Sequence, residues 1–270
     1  MLWDTHMHTH FSVDSEADTL EMIQASIKAG LDGICFTDHL DLEETQTTPD
    51  RFPLDIPGYF REMKSFQEQF DEQFPIYLGV ETGLQTYLKS LLPEIIREYP
   101  FDFVIGSSHW VNGEDPYYPE YFVGRVEDEA YREYFESILE NLAVFDCFDV
   151  YGHLDYIVRY GPNTNQYYTY EKFADVIDEI LRTLIQRGKG IEINTGGFKY
   201  GLGHPNPTED ILRRYRALGG EIITIGADAH KPEHVAYDFH KIPKILTDCG
   251  FRYYTVFRER KPIFYPLPAI

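Results

Sequence analysis

The sequence predicts an α/β fold in which parallel strands close into a barrel wrapped by helices. Strand-like and helix-like segments alternate along the whole chain, about seven such units occur, and most strand-like runs end in a histidine or an acid. The β-rich runs cover residues 1–6, 33–37, 75–80, 102–106, 148–152, 190–194 and 221–226. Between them, helical spacing of apolar residues marks 19–29, 58–74, 91–98, 127–145, 170–187, 209–218 and 233–248. Gly30, Gly188 and Gly219 follow helical runs, where a glycine ends a helix without a Cβ penalty. Thr208 precedes Glu209 and Asp210 and is placed to cap the sixth helix. Two extended segments, 252–257 and 262–267, then flank a charged turn. Seven units stand one short of an eight-stranded barrel, and no repeat, linker or low-complexity tract divides them, so residues 1–270 are expected to form one domain.

Composition narrows the function. Hydrophobic residues make up 43% of the chain and aromatics 16%, enough to build a core and to exclude disorder. The formal charge of -21 and the lack of a Lys/Arg run argue against a nucleic-acid surface, which needs a basic stripe. No apolar run approaches the roughly 18 residues that span a bilayer. The chain opens on Asp4, His6 and His8 instead of a basic and apolar leader, and Cys35, Cys147 and Cys249 are odd in number and widely spaced. A cytoplasmic protein with buried thiols, free of membrane and nucleic acid, is the expectation.

The chemistry lies at the strand ends. His6 and His8 are two apart on an extended chain, so both imidazoles point to one side. Thr37-Asp38-His39, Glu81, His109, His153, Asp228 and His230 lie at or just beyond the carboxyl ends of other strands, which in a parallel barrel share one face. Imidazoles and carboxylates without a paired thiolate suit zinc, manganese or iron. The donors outnumber what a single catalytic ion takes, so two or three ions are expected. Such centres commonly hydrolyse phosphate esters. Arg159 and Lys199, on loops after the fifth and sixth strands, are placed to contact phosphate. Three groups are considered as proton donor to the leaving group: His10, Asp38 and His204. Asp38 is also placed to orient an imidazole. His234 and His240 read as ordinary surface or packing residues, and Tyr117, Tyr118, Tyr121 and Phe122 as a lid over the pocket.

His6-Met7-His8 with Phe11-Ser12 and Asp14, Thr37-Asp38-His39, Gly79-Val80-Glu81, Gly106-Ser107-Ser108-His109, Gly152-His153-Leu154-Asp155 and Asp228-Ala229-His230 together resemble the motifs of the polymerase and histidinol phosphatase (PHP) family. The resemblance runs from residue 4 to residue 230. Gly152 to Asp155 followed by Arg159, and Glu192-Ile193-Asn194-Thr195 before Gly203, look most like the family's histidinol-phosphate phosphatases of histidine biosynthesis. It implies a distorted (β/α)7 TIM-like barrel and three divalent ions: His6, His8, Glu81 and Asp228 around the first, Asp14, His39 and His230 around the second, and Glu81, His109 and His153 around the third. Many relatives carry histidine at the position of Asp14 and arginine at that of Lys199. The implied activity is hydrolysis of a small phosphomonoester, histidinol phosphate, with Asp228, Glu81 and Arg159 as catalytic residues and Arg159 and Lys199 as substrate contacts. The alternatives are another PHP-type phosphoesterase acting on a different monoester or a nucleotide, and a metal-binding regulatory module without turnover.

Overall fold

In the computed structural model, which describes residues 2–70 and 73–269, seven strands form one sheet in chain order: β1 (Trp3–Asp4), β2 (Gly33–Phe36), β3 (Ile76–Gly83), β4 (Phe103–Ser107), β5 (Val150–Tyr151), β6 (Gly190–Asn194) and β7 (Ile223–Gly226). Every neighbouring pair is parallel, with Trp3 opposite Gly33, Ile34 opposite Ile76, Glu81 opposite Ile105 and Glu192 opposite Thr224. The sheet curls until its outer strands meet. Thr5 N–H donates to the Ile225 carbonyl at 2.9 Å, Asp228 N–H to that of His6 at 2.9 Å, and His8 N–H to that of Ala229 at 2.8 Å. The α/β barrel expected from the alternation is present, with seven strands and a hydrogen-bonded seam.

β3 runs further than the sequence suggested, because Thr82 and Gly83 continue the ladder opposite Gly106 and Ser107. Glu81 therefore belongs to the strand and points from a rigid ladder instead of a loop. β1 is shorter than expected, and Met1 lies outside the described residues.

The helices are α1 (Thr19–Lys28), α2 (Ile56–Phe70), α3 (Leu91–Glu98), α4 (Glu127–Val144), α5 (Ala174–Gln186), the single turn α6 (Gly196–Lys199), α7 (Glu209–Ala217) and α8 (Ile242–Asp248). α1 starts where the Asp18 carboxylate accepts the Glu21 N–H at 3.0 Å, and it buries Met22 and Ile23. Gly30 and Gly219 take φ of 75° and 98°, as helix-ending glycines. The expected end of α2 falls partly on Asp71 and Glu72, outside the described residues. Thr208 does not cap α7 with its side chain; its N–H donates to Asp155 at 3.1 Å instead. The long final helix expected over 233–248 breaks into 3-10 turns before α8. Ala236 and Asp238 adopt left-handed φ of 52° and 56°, and the Ala236 N–H is turned inward onto Asp4 at 3.1 Å. A buried acceptor at the barrel seam thus overrides helical spacing.

The two extended C-terminal segments pair as an antiparallel hairpin, β8 (Tyr253–Arg258) and β9 (Lys261–Pro266). Its two-residue turn holds Glu259 and Arg260 at φ of 50° and 61°, the type I′ signature. Arg260 anchors the turn: its N–H donates to the Asp102 carbonyl at 2.9 Å and its guanidinium pairs with Asp149 at 2.5 Å. Phe257 stacks on Phe103, the first residue of β4, at 5.2 Å. Because Asp102 and Asp149 precede β4 and β5, the hairpin seals the amino ends of the strands and leaves the carboxyl ends to carry the site.

Candidate metal centre

Glu81 is the hub. Its Oε1 accepts from Ser107 Oγ at 2.7 Å and lies 2.8 Å from His153 Nε2 and 3.2 Å from His109 Nε2. Its Oε2 lies 3.0 Å from His6 Nε2, 3.2 Å from His39 Nδ1 and 3.5 Å from His8 Nε2. Five imidazoles from the ends of β1, β2, β4 and β5 therefore converge on one fully buried carboxylate. Asp228 and His230, just past β7, close the ring: Asp228 Oδ1 is 3.8 Å from His6 Nε2 and 3.6 Å from His8 Nε2. Asp14, on the loop after β1, brings Oδ2 to 3.1 Å from His230 Nε2 and 3.6 Å from His39 Nε2, and those two nitrogens are 3.4 Å apart. All nine candidate ligands from the sequence meet here.

Donor atoms about 2.1 Å from a shared tetrahedral ion sit roughly 3.4 Å apart. Several of these separations have that length. His8 Nε2 is decisive: it is buried and has no hydrogen-bond partner, although two carboxylate oxygens face it at 3.5 and 3.6 Å. A buried polar atom left unpaired among anions fits a cation between them. The donors, imidazole and carboxylate, suit a divalent transition metal.

Electrostatics agree. Burial alone would raise the pKa of Glu81, but the imidazoles of His6, His109 and His39 hold it well below the usual carboxylate range. Burial likewise opposes protonation of His6, yet Glu192, Glu81 and Asp228 outweigh it and raise its pKa. His8 goes the other way, lowered by burial and by His230 and His39, so its imidazole is neutral, the form in which a ring nitrogen can offer a lone pair to a cation. A divalent cation would take the place of the protons these carboxylates otherwise attract.

Several supports escaped the sequence reading. Glu192, inside β6, accepts from His6 Nδ1 at 2.6 Å and from the His153 N–H at 2.9 Å, directing His6 Nε2 to the centre. Gly226 makes room for it, since a Cβ there would lie 2.3 Å from Glu192 Oε1. Asp41 holds His109 Nδ1 at 2.7 Å and the Gly83 N–H at 2.7 Å. Ser12 receives His8 Nδ1 at 3.1 Å and donates to Asp38 at 2.7 Å, so Asp38 orients an imidazole only through this hydroxyl. Glu192 stood in a quoted motif without a role, and Asp41 lies two residues past His39, the spacing that returns to the same side of an extended chain.

Arg159 is buried and already engaged: Nε donates to Asn206 at 2.9 Å, NH1 to Asp228 at 2.9 Å and NH2 to Asn194 at 3.0 Å. The sequence placed it as a phosphate contact on a loop; the structure gives it the further task of gripping Asp228, whose backbone sits at φ 54°. Lys199 donates to the Asp228 carbonyl at 2.9 Å. Both line a cavity of about 950 Å³ together with Asp14, His39, His109, His153, Asp228 and His230. Tyr117 and Tyr118 line it too, whereas Tyr121 and Phe122 are buried in the core, so only half of the expected lid faces the site. His234, discounted in the sequence, reaches the cavity wall; His240 stays exposed. His10, Asp38 and His204 are absent from that wall.

Fold and site together define a metal-dependent barrel hydrolase. The PHP domain pattern matches residues 4–196, and the chain belongs to that family. It is 34% identical over 262 residues to the histidinol-phosphatase of Lactococcus lactis, covering 96% of this chain and 95% of that protein. A Clostridium acetobutylicum protein named a probable histidinol-phosphatase is 33% identical, covering 98% and 100%. The crystal structure of the Lactococcus histidinol phosphate phosphatase, complexed with zinc, L-histidinol and phosphate, superposes with a TM-score of 0.89 at 33% identity, covering 97% of this chain and 98% of that one.

Proposed function

We propose that this chain is a histidinol-phosphate phosphatase, hydrolysing L-histidinol phosphate to L-histidinol and phosphate at a centre of three divalent ions, zinc, manganese or iron. The observation that carries the reading is the cluster of six imidazoles and three carboxylates, Asp14 among them, at the carboxyl ends of the strands, in a chain similar over nearly its whole length to a phosphatase solved with zinc, L-histidinol and phosphate. His6, His8, Glu81 and Asp228 hold the first ion, Asp14, His39 and His230 the second, and Glu81, His109 and His153 the third. When bound, such ions generate a nucleophile from water at neutral pH and offset charge on the phosphoryl oxygens.

The chain's own residues orient and balance charge, which is most of what phosphoryl transfer asks of a protein. Arg159 fixes Asp228 with one N–H and uses two more on Asn206 and Asn194, leaving two of its five for non-bridging phosphate oxygens. Lys199 adds a second positive charge on that side of the cavity. The cavity volume of about 950 Å³ suits a small monoester. The net charge of -21 favours a small substrate over nucleic acid. Three unpaired cysteines support a reducing cytoplasm, and no helix among the described residues is long and apolar enough to cross a membrane. Residues 1–270 act as one catalytic unit.

Phosphate release by manganese- or zinc-loaded protein across a panel of monoesters tests this. A kcat/KM preference of about a hundredfold or more for histidinol phosphate, equivalent to roughly 2.7 kcal/mol in the transition state, is expected. Flat, slow activity would assign the site to another monoester, and metal binding without hydrolysis would make the chain a regulatory module.

A further inference from the structure

The cavity wall carries charges of both signs. Arg159, Lys199 and Lys231 line it along with five acids: Asp14, Asp41, Glu43, Asp115 and Asp228. Four of the acids have evident duties or exposure. Asp228 is gripped by Arg159, Asp41 holds His109, Asp14 faces His230, and Glu43 is exposed. Asp115 differs. It is half-buried, its Oδ1 accepts only the Tyr117 N–H at 2.8 Å, and among the described residues it has no cationic side chain within ion-pair distance. Burial pushes its pKa up, with the Tyr117 N–H and His109 only partly opposing. A carboxylate desolvated in a cavity wall without a cation is costly unless something else brings one.

A strip of aromatic rings runs beside it. Tyr117 lies 5.4 Å from Tyr160, Tyr160 lies 5.0 Å from Tyr156, and Tyr156 lies 5.5 Å from His109. The far end of the strip meets the phosphate side, where the Arg159 guanidinium stands 5.4 Å from the Tyr156 ring. Ring faces attract cations, and an aromatic wall with an adjacent carboxylate is a recurrent way of recognising ammonium groups.

We infer that Asp115 is a specificity-determining residue that pairs with a cationic nitrogen of the leaving alcohol, with Tyr117, Tyr156 and Tyr160 as the wall against which that alcohol lies. The inference rests on the proposed histidinol phosphate activity and extends it to the organic half of the substrate. With phosphate at the Arg159 end and a cation at Asp115, the ester lies along the aromatic strip in one orientation. A neutral or anionic leaving group, such as a sugar or nucleoside, leaves Asp115 unpaired and is disfavoured by that lost contact. Two nitrogens of histidinol share the required chemistry, the ammonium and the imidazole.

The test compares wild type with Asp115→Asn on three esters: L-histidinol phosphate, its des-amino analogue and L-phenylalaninol phosphate. The wild-type kcat/KM ratio of histidinol phosphate to one analogue is expected to fall about tenfold or more in the variant, as for loss of a charge-assisted hydrogen bond. Collapse against the des-amino ester assigns the ammonium, and collapse against the phenyl ester assigns the imidazole. Ratios that persist overturn the inference even if all rates fall together, because a structural defect scales every substrate alike. Failure of the proposed function reads differently: wild type then shows no preference for histidinol phosphate in the panel. Wild-type ratios near one for both pairs would overturn the role of Asp115 as well.

Discussion

Replacing Glu192 by Gln tests whether the support beneath the ligands governs the centre. The carboxylate accepts three hydrogen bonds, from His6 Nδ1 at 2.6 Å, the His153 N–H at 2.9 Å and Asn194 Nδ2 at 3.0 Å. A carboxamide has one acceptor oxygen. If that oxygen keeps His6, the new NH2 faces two donors in a fully buried place. If it turns to His153 and Asn194, the NH2 donates to His6 Nδ1 and drives the ring's proton to Nε2, where the metal's lone pair is needed. Each buried unsatisfied group costs about 1–3 kcal/mol, and loss of a ligand's hydrogen-bond partner typically weakens metal binding about 10–100-fold. Competition with a chelator should show one ion bound that much more weakly while the ions proposed at His39 and His230, and at His109 and His153, stay near wild type. Wild-type affinity for every ion in a folded Glu192→Gln protein would refute the reasoning.

Other expectations follow from the same geometry. His153→Ala removes a direct neighbour of Glu81 Oε1 and should release one ion and most activity, checked by metal analysis and turnover. Arg159→Lys keeps the charge but loses the fork that reaches Asp228, Asn194 and Asn206 together, so kcat/KM should fall at least tenfold with metal content less affected; unchanged kcat/KM would mean the fork is dispensable. Far from the site, hydrogen bonds from Arg214, helped by Tyr170 and Arg182, lower the Asp178 pKa to about 2. That value lies below the ordinary 3.8, so the stabilisation is full above about pH 5 and fades as pH falls towards 2. Asp178→Asn should therefore cost about 1 kcal/mol in unfolding at pH 7 and progressively less below pH 4; an equal cost across this window would show that the ion pair is not the source.

The sequence by itself determined the class of fold and which imidazoles and carboxylates would meet at one end of the barrel. Seven alternating units dictate a parallel barrel, and His6, His8, His39, His109, His153, Asp228 and His230 could be read because strand-end position is local information, fixed by a few flanking residues. Tertiary structure decided what depends on contacts between distant segments. Glu192 and Asp41 look like any acids on a strand or loop until the barrel closes and sets them behind His6 and His109. Arg159 reads as a phosphate contact on a loop; that its fork also grips Asn206, 47 positions away, and Asp228, 69 away, appears only in the folded chain. The expected final helix breaks because Ala236 must turn its N–H to Asp4, 232 positions earlier. Helical period and strand alternation report on neighbours in the chain; the orientation of a ligand depends on hydrogen bonds whose partners only the closed barrel brings within 3 Å.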